Sequence, residues 1–149
     1  MIRAIGEPGA DEGIEFTVTD VRLARSIDAG RYQPGKKLRG PRGGELVIAK
    51  VSYTNDTGEA ADPFCGSTSA RVIDQYDRPH EVDDLKLYEI PGNSEICGGD
   101  DTAVPDGGTG AVTLAFELPK GRRLQSIELF NGKTTDYDGQ ASFVRFEVR

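Results

Sequence analysis

Apolar and polar residues alternate in several short runs of this chain, most regularly in GGELVIAKVSYTND at residues 43–56. In an extended chain, successive side chains point to opposite faces. Leu46 and Ile48 then fall on one face, and Val47 and Ala49 fall on the other. Apolar residues on both faces predict a central strand that is covered on one side and partly packed on the other. The Asn, Asp and Gly residues that follow predict a turn.

Similar alternation predicts further strands along the chain. The clearest runs are IEFTVTDVRLA at 14–24, with a register slip near Asp20, TGAVTLAFEL at 109–118, LQSIELF at 124–130 and SFVRFEV at 142–148. Shorter runs at 69–76 and 75–82 predict two more strands, whereas DDLKLYEI at 83–90 fits either a strand or a helical turn. About eight or nine short strands, with no helix longer than a turn or two, predict an all-β fold, an immunoglobulin-like antiparallel β-sandwich.

Length and composition fit a single domain. A chain of 149 residues with 36% hydrophobic residues can bury one core of its own. Residues 1–13 are rich in Gly, Pro and acidic residues and predict a flexible lead-in. The sandwich domain is therefore expected to span residues 14–149. No apolar run approaches the roughly 18–20 residues that cross a bilayer, and residues 1–13 lack the apolar segment of a signal peptide.

Charge is unevenly distributed in this acidic chain. The net charge of −7 argues against nucleic acid and anionic lipid as main partners, because both attract basic surfaces. Basic side chains cluster early, at Arg22, Arg25, Arg31, Lys36, Lys37, Arg39 and Arg42. Acidic side chains cluster later, at Glu81, Asp83, Asp84, Glu89, Glu95, Asp100, Asp101 and Asp106.

Two interpretations of this charge pattern remain open. The two groups either form solvated loops that attract each other across the fold, or form a bipolar surface that steers a charged partner. The turn-rich stretch at 29–44 predicts a long basic loop. We take its residues 31–42 as the candidate binding surface, with these side chains: Arg31, Lys36, Lys37, Arg39 and Arg42.

The chain has two cysteines, Cys65 in DPFCGS and Cys97 in SEICGGDD. One disulfide is the favoured interpretation, and in the chain-entropy model it contributes roughly 3–4 kcal/mol. Two unlinked thiols are the alternative. A metal pair fits less well, because a zinc site takes four ligands and the chain has one histidine. A disulfide would imply export to an oxidising compartment.

Catalytic motifs are not found. A Ser-His-Asp triad would have to use His80, the single histidine, and no serine lies in a G-x-S-x-G turn. The position of His80 after Pro79 predicts a solvent-exposed turn histidine. The residues GKT at 132–134 end like a phosphate-binding loop, but Ile127 occupies the place of its first glycine. We therefore expect no enzymatic activity and no cofactor.

The acidic loop GGDDTAVPDGG at 98–108 is the candidate metal site. It lacks the alternating ligands of an EF-hand, so that calcium would have to bind irregularly through Asp100, Asp101 and Asp106. A solvated loop without a cation is the plainer interpretation. Binding of calcium or a small ligand by the loop 100–106 is the alternative function.

Four segments together resemble a known family. They are VSYTNDTGEAADPF at 51–64, ARVIDQYDRPHE at 70–81, VPDGGTGAVTLAFELPKG at 104–121 and SIELF at 126–130. The pattern resembles the immunoglobulin-like domains of bacterial exported proteins grouped as the DUF4352 or MPT63-like family, over about residues 14–130. The matching positions are Asn55 at a strand end, the turn at 74–77, Pro105 with Gly107 at a corner, and Phe116 to Pro119. Asp106, which splits the corner, and Arg78-Pro79, in place of a glycine, depart from it.

The resemblance implies a secreted protein or lipoprotein domain without established catalytic activity, and it brings no catalytic residues. Combined with the charge pattern, it predicts a non-catalytic extracellular or cell-envelope binding module whose partner is a protein or another envelope component. In such sandwiches rigid strands hold variable loops, and the loops carry the binding function.

Overall fold

The structure, a computed structural model, describes residues 1–64, 70–81, 87–93, 103–131 and 142–148. Strands dominate this part of the chain, and they are β1 (Ile2–Ala4), β2 (Pro8–Asp11), β3 (Ile14–Ala24), β4 (Ser26–Asp28), β5 (Lys37–Arg39), β6 (Glu45–Asn55), β7 (Ala70–Asp74), β8 (Pro79–Glu81), β9 (Thr109–Leu118), β10 (Leu124–Leu129) and β11 (Val144–Glu147).

The strands form two main sheets. One sheet has the order β2-β3-β6-β9 and is antiparallel throughout. The other has the order β1-β11-β10-β7-β8 and is antiparallel except for β1, which runs parallel to β11. Strands β4 and β5 pair as a small separate hairpin. The prediction of an all-β antiparallel sandwich is confirmed, with more strands than the eight or nine expected.

The core lies between the two sheets. Alternate residues of β3, β6 and β9 point inward, and Val18, Val51 and Val112 are register partners across the three strands. They join one apolar cluster with side chains of β7, β10 and β11. The inward side chains from both sheets include Phe16, Val47, Leu114, Phe116, Val72, Ile127, Leu129, Val144 and Phe146.

A bulge in β3 keeps this inward pattern in phase. The register between β3 and β6 shifts between Val18 and Asp20, where the Thr19 hydroxyl donates to the carbonyl of Lys50. The predicted register slip near Asp20 is thus confirmed. Beyond the bulge Val21 pairs with Ala49, so that apolar residues of β3 return to the core face.

The outer face of β6 is covered as well. Leu46 and Ile48 are buried there in the same cluster as Leu38 of the β4–β5 hairpin and as Leu87 and Ile90. Residues 29–44, predicted as a long loop, instead include strand β5, which pairs with β4 and buries Leu38 in the core cluster. The prediction of a central strand packed on both faces is confirmed.

Residues 1–13, predicted as a flexible lead-in, instead contribute a strand to each main sheet. Gly9 is buried and packs closely on β11, since a Cβ atom at this position would lie 2.5 Å from Cγ1 of Val144. The buried carboxylate of Asp11 accepts hydrogen bonds from the Asn131 amide and the Ser142 hydroxyl. The small and acidic residues that suggest flexibility serve close packing and buried hydrogen bonds instead.

Asn55 organises the loop that follows β6. Its side chain is fully buried and donates to the carbonyls of Glu59 and Val104, at 2.7 and 2.9 Å. Its amide oxygen accepts from both the backbone amide and the hydroxyl of Thr57. The asparagine at the strand end, one of the positions that carry the family resemblance, therefore has a structural role.

The core predicts a position-dependent cost of truncating leucine. Leu114 is 0% exposed in β9 and Leu23 is 50% exposed in β3. Leu114→Ala should lower the free energy of unfolding by about 2–5 kcal/mol because it leaves a cavity. Leu23→Ala, the matched control, should change it by no more than about 0.5 kcal/mol. Denaturant unfolding measures both, and equal losses would contradict this assignment of the core.

Candidate functional site

Three loops meet at one end of the sandwich, which we call the basic end. They lie at 40–44, 75–78 and 119–123, and the strand register brings them together. Glu45 at the start of β6 pairs with Leu118 at the end of β9, and Leu124 at the start of β10 pairs with Asp74 at the end of β7. The basic side chains of this end are Arg25, Arg39, Arg42, Arg78, Lys120, Arg122 and Arg123. Its carboxylates are Glu45, Asp74, Asp77 and Glu117.

The opposite end has the reverse charge. Its loops at 11–13, 56–62 and 103–108 contain Asp or Glu and neither Lys nor Arg. Hydrogen bonds hold these loops together, from the Asp56 amide to the Gly13 carbonyl and from the Gly58 amide to the Asp106 carboxylate. The charges of these loops are therefore segregated along the strand direction. Of the acidic cluster predicted from the sequence, only Asp106 lies in these three loops.

A cleft of about 520 Å³ opens at the basic end. Arg25, Arg39 and Arg42 line it, together with Glu45 and the backbone of residues 40–44. The three guanidinium groups are on exposed residues, and none has an ion pair with a carboxylate in the part of the chain that the structure describes. Three unpaired arginines around one cleft make it a candidate site for an anion.

The hairpin and the turn after it place these arginines. The Gly40 amide donates to the Arg25 carbonyl at 2.9 Å, which extends the β4–β5 hairpin by one pair. The Gly44 amide donates to the Pro41 carbonyl at 2.8 Å and closes a β-turn, in which Gly43 has a φ of 76°. A Cβ atom at Gly44 would lie 2.3 Å from the carbonyl oxygen of Leu118, so that only glycine allows this close approach of the turn to β9.

The predicted surface at 31–42 divides into two parts. Arg39 and Arg42 line the cleft, and Lys37 is exposed on β5. Arg31 and Lys36 point instead to the segment 87–93, since the Arg31 guanidinium donates to the Asn93 carbonyl and Lys36 forms an ion pair of 2.8 Å with Glu89. The rings of Tyr32 and Tyr88 pack edge to face alongside, with centroids 6.1 Å apart. For Arg31 and Lys36 the first interpretation applies, in which basic and acidic loops attract each other across the fold.

Arg25 is the one of these three arginines that the predicted surface at 31–42 omits. It lies before the hairpin and more than ten residues from Arg39 in the sequence. The signal that links them is the hairpin itself, because Ser26 and Arg39 are register partners. A hairpin predicted over 26–39 would have brought Arg25 to the same place.

His80 differs from the expected solvent-exposed turn histidine. Its side chain is 19% exposed, and Nε2 lies 2.9 Å from Oδ2 of Asp74. The other oxygen of Asp74 accepts from the amides of Tyr76 and Arg78, and Arg122 lies 3.6 Å from Oδ2. The pair with Asp74 therefore fixes the β7–β8 turn.

The environment of Asp74 favours its charged form. Burial alone would raise the pKa of this carboxyl, but the hydrogen bond with His80, the amides of Arg78 and Tyr76 and the charge of Arg122 outweigh burial. The pKa of Asp74 is therefore lower than its ordinary value of 3.8. The folded state binds this proton less tightly than the unfolded state does.

A further buried carboxylate lies on the outer face of the same sheet, on the neighbouring strand β10. Glu128 is 1% exposed and sits between its register partners Arg71 and Arg145. Arg71 contacts Oε1 at 2.5 Å, and Arg145 donates to Oε2 at 2.8 and 3.1 Å. The ring of Phe143 lies within 6 Å of both guanidinium carbons, at 5.9 and 5.7 Å. This row of charges ties three strands together.

The calcium interpretation gains no support from the described residues. Asp106 is exposed and accepts a hydrogen bond of 2.9 Å from the Gly58 amide, whereas Asp100 and Asp101 lie outside the described residues. No group of three or more His, Cys, Asp or Glu side chains suited to a metal ion occurs in the described ranges. Cys65 and Cys97 also lie outside these ranges. The calcium site and the disulfide therefore stay predictions.

Comparison with known proteins shows the fold. No protein-family model matches the chain, and no curated protein matches it. The secreted protein MPT63 from Mycobacterium tuberculosis superposes with a TM-score of 0.60 at 10% identity, over 99% of this chain and 97% of that chain. An uncharacterized β-sandwich protein from Clostridium difficile gives a TM-score of 0.59 at 8% identity, over 99% and 93% of the two chains.

A third neighbour is ycdA, a candidate lipoprotein from Bacillus subtilis. It superposes with a TM-score of 0.57 at 10% identity over 97% of this chain and 39% of that longer chain. At such low identity the similarity defines the fold alone, and the expected MPT63-like fold is confirmed. In the described part of the chain, no helix has the length and apolar character needed to span a bilayer.

The lowered pKa of Asp74 predicts a loss of stability in acid. The charged carboxylate stabilises the fold above the pKa of the unfolded state, and this contribution disappears as the pH falls through the folded pKa. The free energy of unfolding of the wild type should therefore decrease below about pH 4, and less steeply for Asp74→Asn. At neutral pH this variant should be less stable by about 1.5–3 kcal/mol, because His80 and Arg122 then face a neutral amide.

Chemical denaturation at several pH values between about 2 and 7 measures both effects. Asp77→Asn is the matched control, since Asp77 lies exposed in the same turn and asparagine tolerates its φ of 60°. The control should keep the pH dependence of the wild type. The explanation would be refuted by an Asp74→Asn profile with the same slope as the wild type.

Proposed function

We propose that this chain is a non-catalytic binding module of an exported or cell-envelope protein, and that it binds an anionic partner at the basic end. The observation that carries the proposal is the cleft at this end, where Arg25, Arg39 and Arg42 stand around about 520 Å³ of open space. These arginines have no ion pair in the described part of the chain. Unpaired guanidinium groups held around a concave surface suit a ligand better than they suit stability, to which exposed charges contribute little.

The overall charge strengthens this argument. The chain carries a net charge of −7, yet basic side chains outnumber carboxylates at this end. Such segregation orients an approaching anion and increases its local concentration at the positive end. The acidic body of the protein repels the same anion elsewhere, which favours binding at a single place.

The structural neighbours and the sequence resemblance support the proposed compartment. MPT63 is a secreted protein and ycdA is a candidate lipoprotein, which supports export of this chain too. The motifs at Asn55, Asp74 and Phe116 support membership of the DUF4352 or MPT63-like family. The engagement of His80 with Asp74 supports a non-catalytic role, because it gives the single histidine a structural function.

Retention on an anionic matrix tests the basic end directly. Although the protein is acidic, it should bind a sulfonated matrix at pH 7 and about 10–20 mM salt, and release as screening increases. Arg39→Glu with Arg42→Glu should abolish retention. Arg22→Glu with Lys50→Glu, which gives the same net charge, should preserve it, because both residues are exposed and neither lines the cleft.

Two results would overturn the proposed surface. One is a wild-type protein that passes through the matrix at low salt. The other is equal behaviour of the two double variants, which would make net charge rather than the basic end responsible. Circular dichroism spectra of all three proteins verify that each is folded.

Export also predicts a disulfide between Cys65 and Cys97. The residues that flank the two cysteines support it, because both are held near β9. Phe64 packs on the ring of Tyr53, and Tyr53 is the register partner of Gly110 in β9. Asn93 forms hydrogen bonds with Thr113 in the same strand. Gly110 and Thr113 are only about 10 Å apart along a strand. Alkylation of the unfolded protein should modify neither cysteine before reduction and both after reduction, as intact mass shows.

Reduction should also lower the thermal midpoint, because the bond restricts the unfolded chain by roughly 3–4 kcal/mol. A Cys65→Ser, Cys97→Ser variant is the control and should not respond to reductant. Two alkylated thiols in protein that was produced under oxidising conditions would argue against the bond, and against this part of the case for export.

A further inference from the structure

From the cleft at the basic end we infer the class of ligand: a phosphorylated polyol, either free or as the repeating unit of an anionic envelope polymer. This inference rests on the proposed function and deepens it. The three arginines, the size of the cleft and Glu45, the one carboxylate that lines it among the described residues, each restrict the ligand.

The number of arginines favours a phosphoryl group over a carboxylate. Within this protein, two arginines already occupy both oxygens of the Glu128 carboxylate, Arg71 at one and Arg145 at the other. The acceptor directions of a carboxylate all lie near one plane. A phosphoryl group has three peripheral oxygens that point in different directions, so that three separate guanidinium groups can each donate to it.

The positions of the arginines suit such convergence. Arg39 ends β5 opposite Ser26, and Arg25 directly precedes β4, where its carbonyl accepts a hydrogen bond from the Gly40 amide. Arg42 follows in the tight turn closed by Gly44. The three side chains therefore start from hydrogen-bonded backbone positions, and all three line the same cleft.

The size and the rim of the cleft indicate the rest of the ligand. A space of about 520 Å³ is larger than inorganic phosphate needs and lies in the range of small-molecule sites. Glu45 is the carboxylate that lines it. A carboxylate repels a second anionic group but accepts hydrogen bonds from hydroxyl groups. The ligand should therefore carry its phosphate towards the arginines and its hydroxyl groups towards Glu45.

Calorimetric titration at low ionic strength tests this assignment. The probes are glycerol 3-phosphate, inorganic phosphate, citrate and glycerol. Glycerol 3-phosphate should bind more tightly than inorganic phosphate and citrate, and glycerol should not bind. Arg39→Ala should weaken binding of glycerol 3-phosphate by roughly 10- to 100-fold, the effect of removing one hydrogen bond between charged groups. Arg22→Ala, the matched control outside the cleft, should leave it unchanged.

Two further variants separate specific binding from general attraction. Arg42→Lys keeps the charge but loses the planar fork, so it should weaken binding of glycerol 3-phosphate measurably. Glu45→Gln should reduce the preference for glycerol 3-phosphate over inorganic phosphate.

Titration with poly(glycerol phosphate) identifies the source of the ligand. Binding at least about 10-fold tighter per repeat than that of the monomer indicates the polymer, and equal binding indicates a free metabolite.

The inference would be overturned if neither phosphate probe binds, if citrate binds as tightly as glycerol 3-phosphate, or if Arg39→Ala and Arg22→Ala have equal effects. Its failure can be told apart from failure of the proposed function. If phosphates do not bind but the protein is still retained on the anionic matrix through Arg39 and Arg42, the basic end remains the binding surface and only the ligand class is wrong.

Discussion

The burial of strand β6 on both faces is the constraint on which this structure depends. The strand pairs with β3 on one side and β9 on the other along almost its whole length, with inward apolar residues facing the second sheet and outward ones facing the β4–β5 hairpin. Because side chains alternate with a period of two, a shift of one residue would exchange the two apolar sets. The register fixed in this way decides which loops share an end, and so brings the turn at 40–44 beside the end of β9.

Buried polar side chains at strand ends complete what the apolar pattern begins. Asn55 closes β6 and Asp74 closes β7, and each is 0% exposed while it binds backbone amides or carbonyls of the loop that follows. A buried polar group that lacks partners is costly, so each side chain specifies a single loop conformation. Both positions also carry the family resemblance. The similarity to MPT63, at 10% identity, is a similarity of backbone arrangement.

Local patterns predict the long strands well and the site poorly, for a physical reason. Alternation in 14–24, 43–56 and 109–118 is a property of neighbouring residues, and it indicates β3, β6 and β9 closely. Strand β1 has three residues, which is too few for alternation to indicate a strand, and its partner β11 lies at the other extreme of the sequence. Likewise, charge alone groups Arg31 and Lys36 with Arg39. Only the tertiary packing turns the first two towards Glu89 and Asn93 and adds Arg25 to the cleft.

The parallel pairing of β1 with β11 has a mechanical consequence. In an antiparallel hairpin, tension on the two ends opens the hydrogen bonds one after another. Here Ile2 opposes Arg145 and Ala4 opposes Glu147, with both strands running in the same direction. Tension applied before β1 and after β11 therefore pulls along the ladder in opposite senses, and all of its hydrogen bonds share the load at once. A domain anchored at one extremity and loaded at the other would thus resist extension through this short pair of strands.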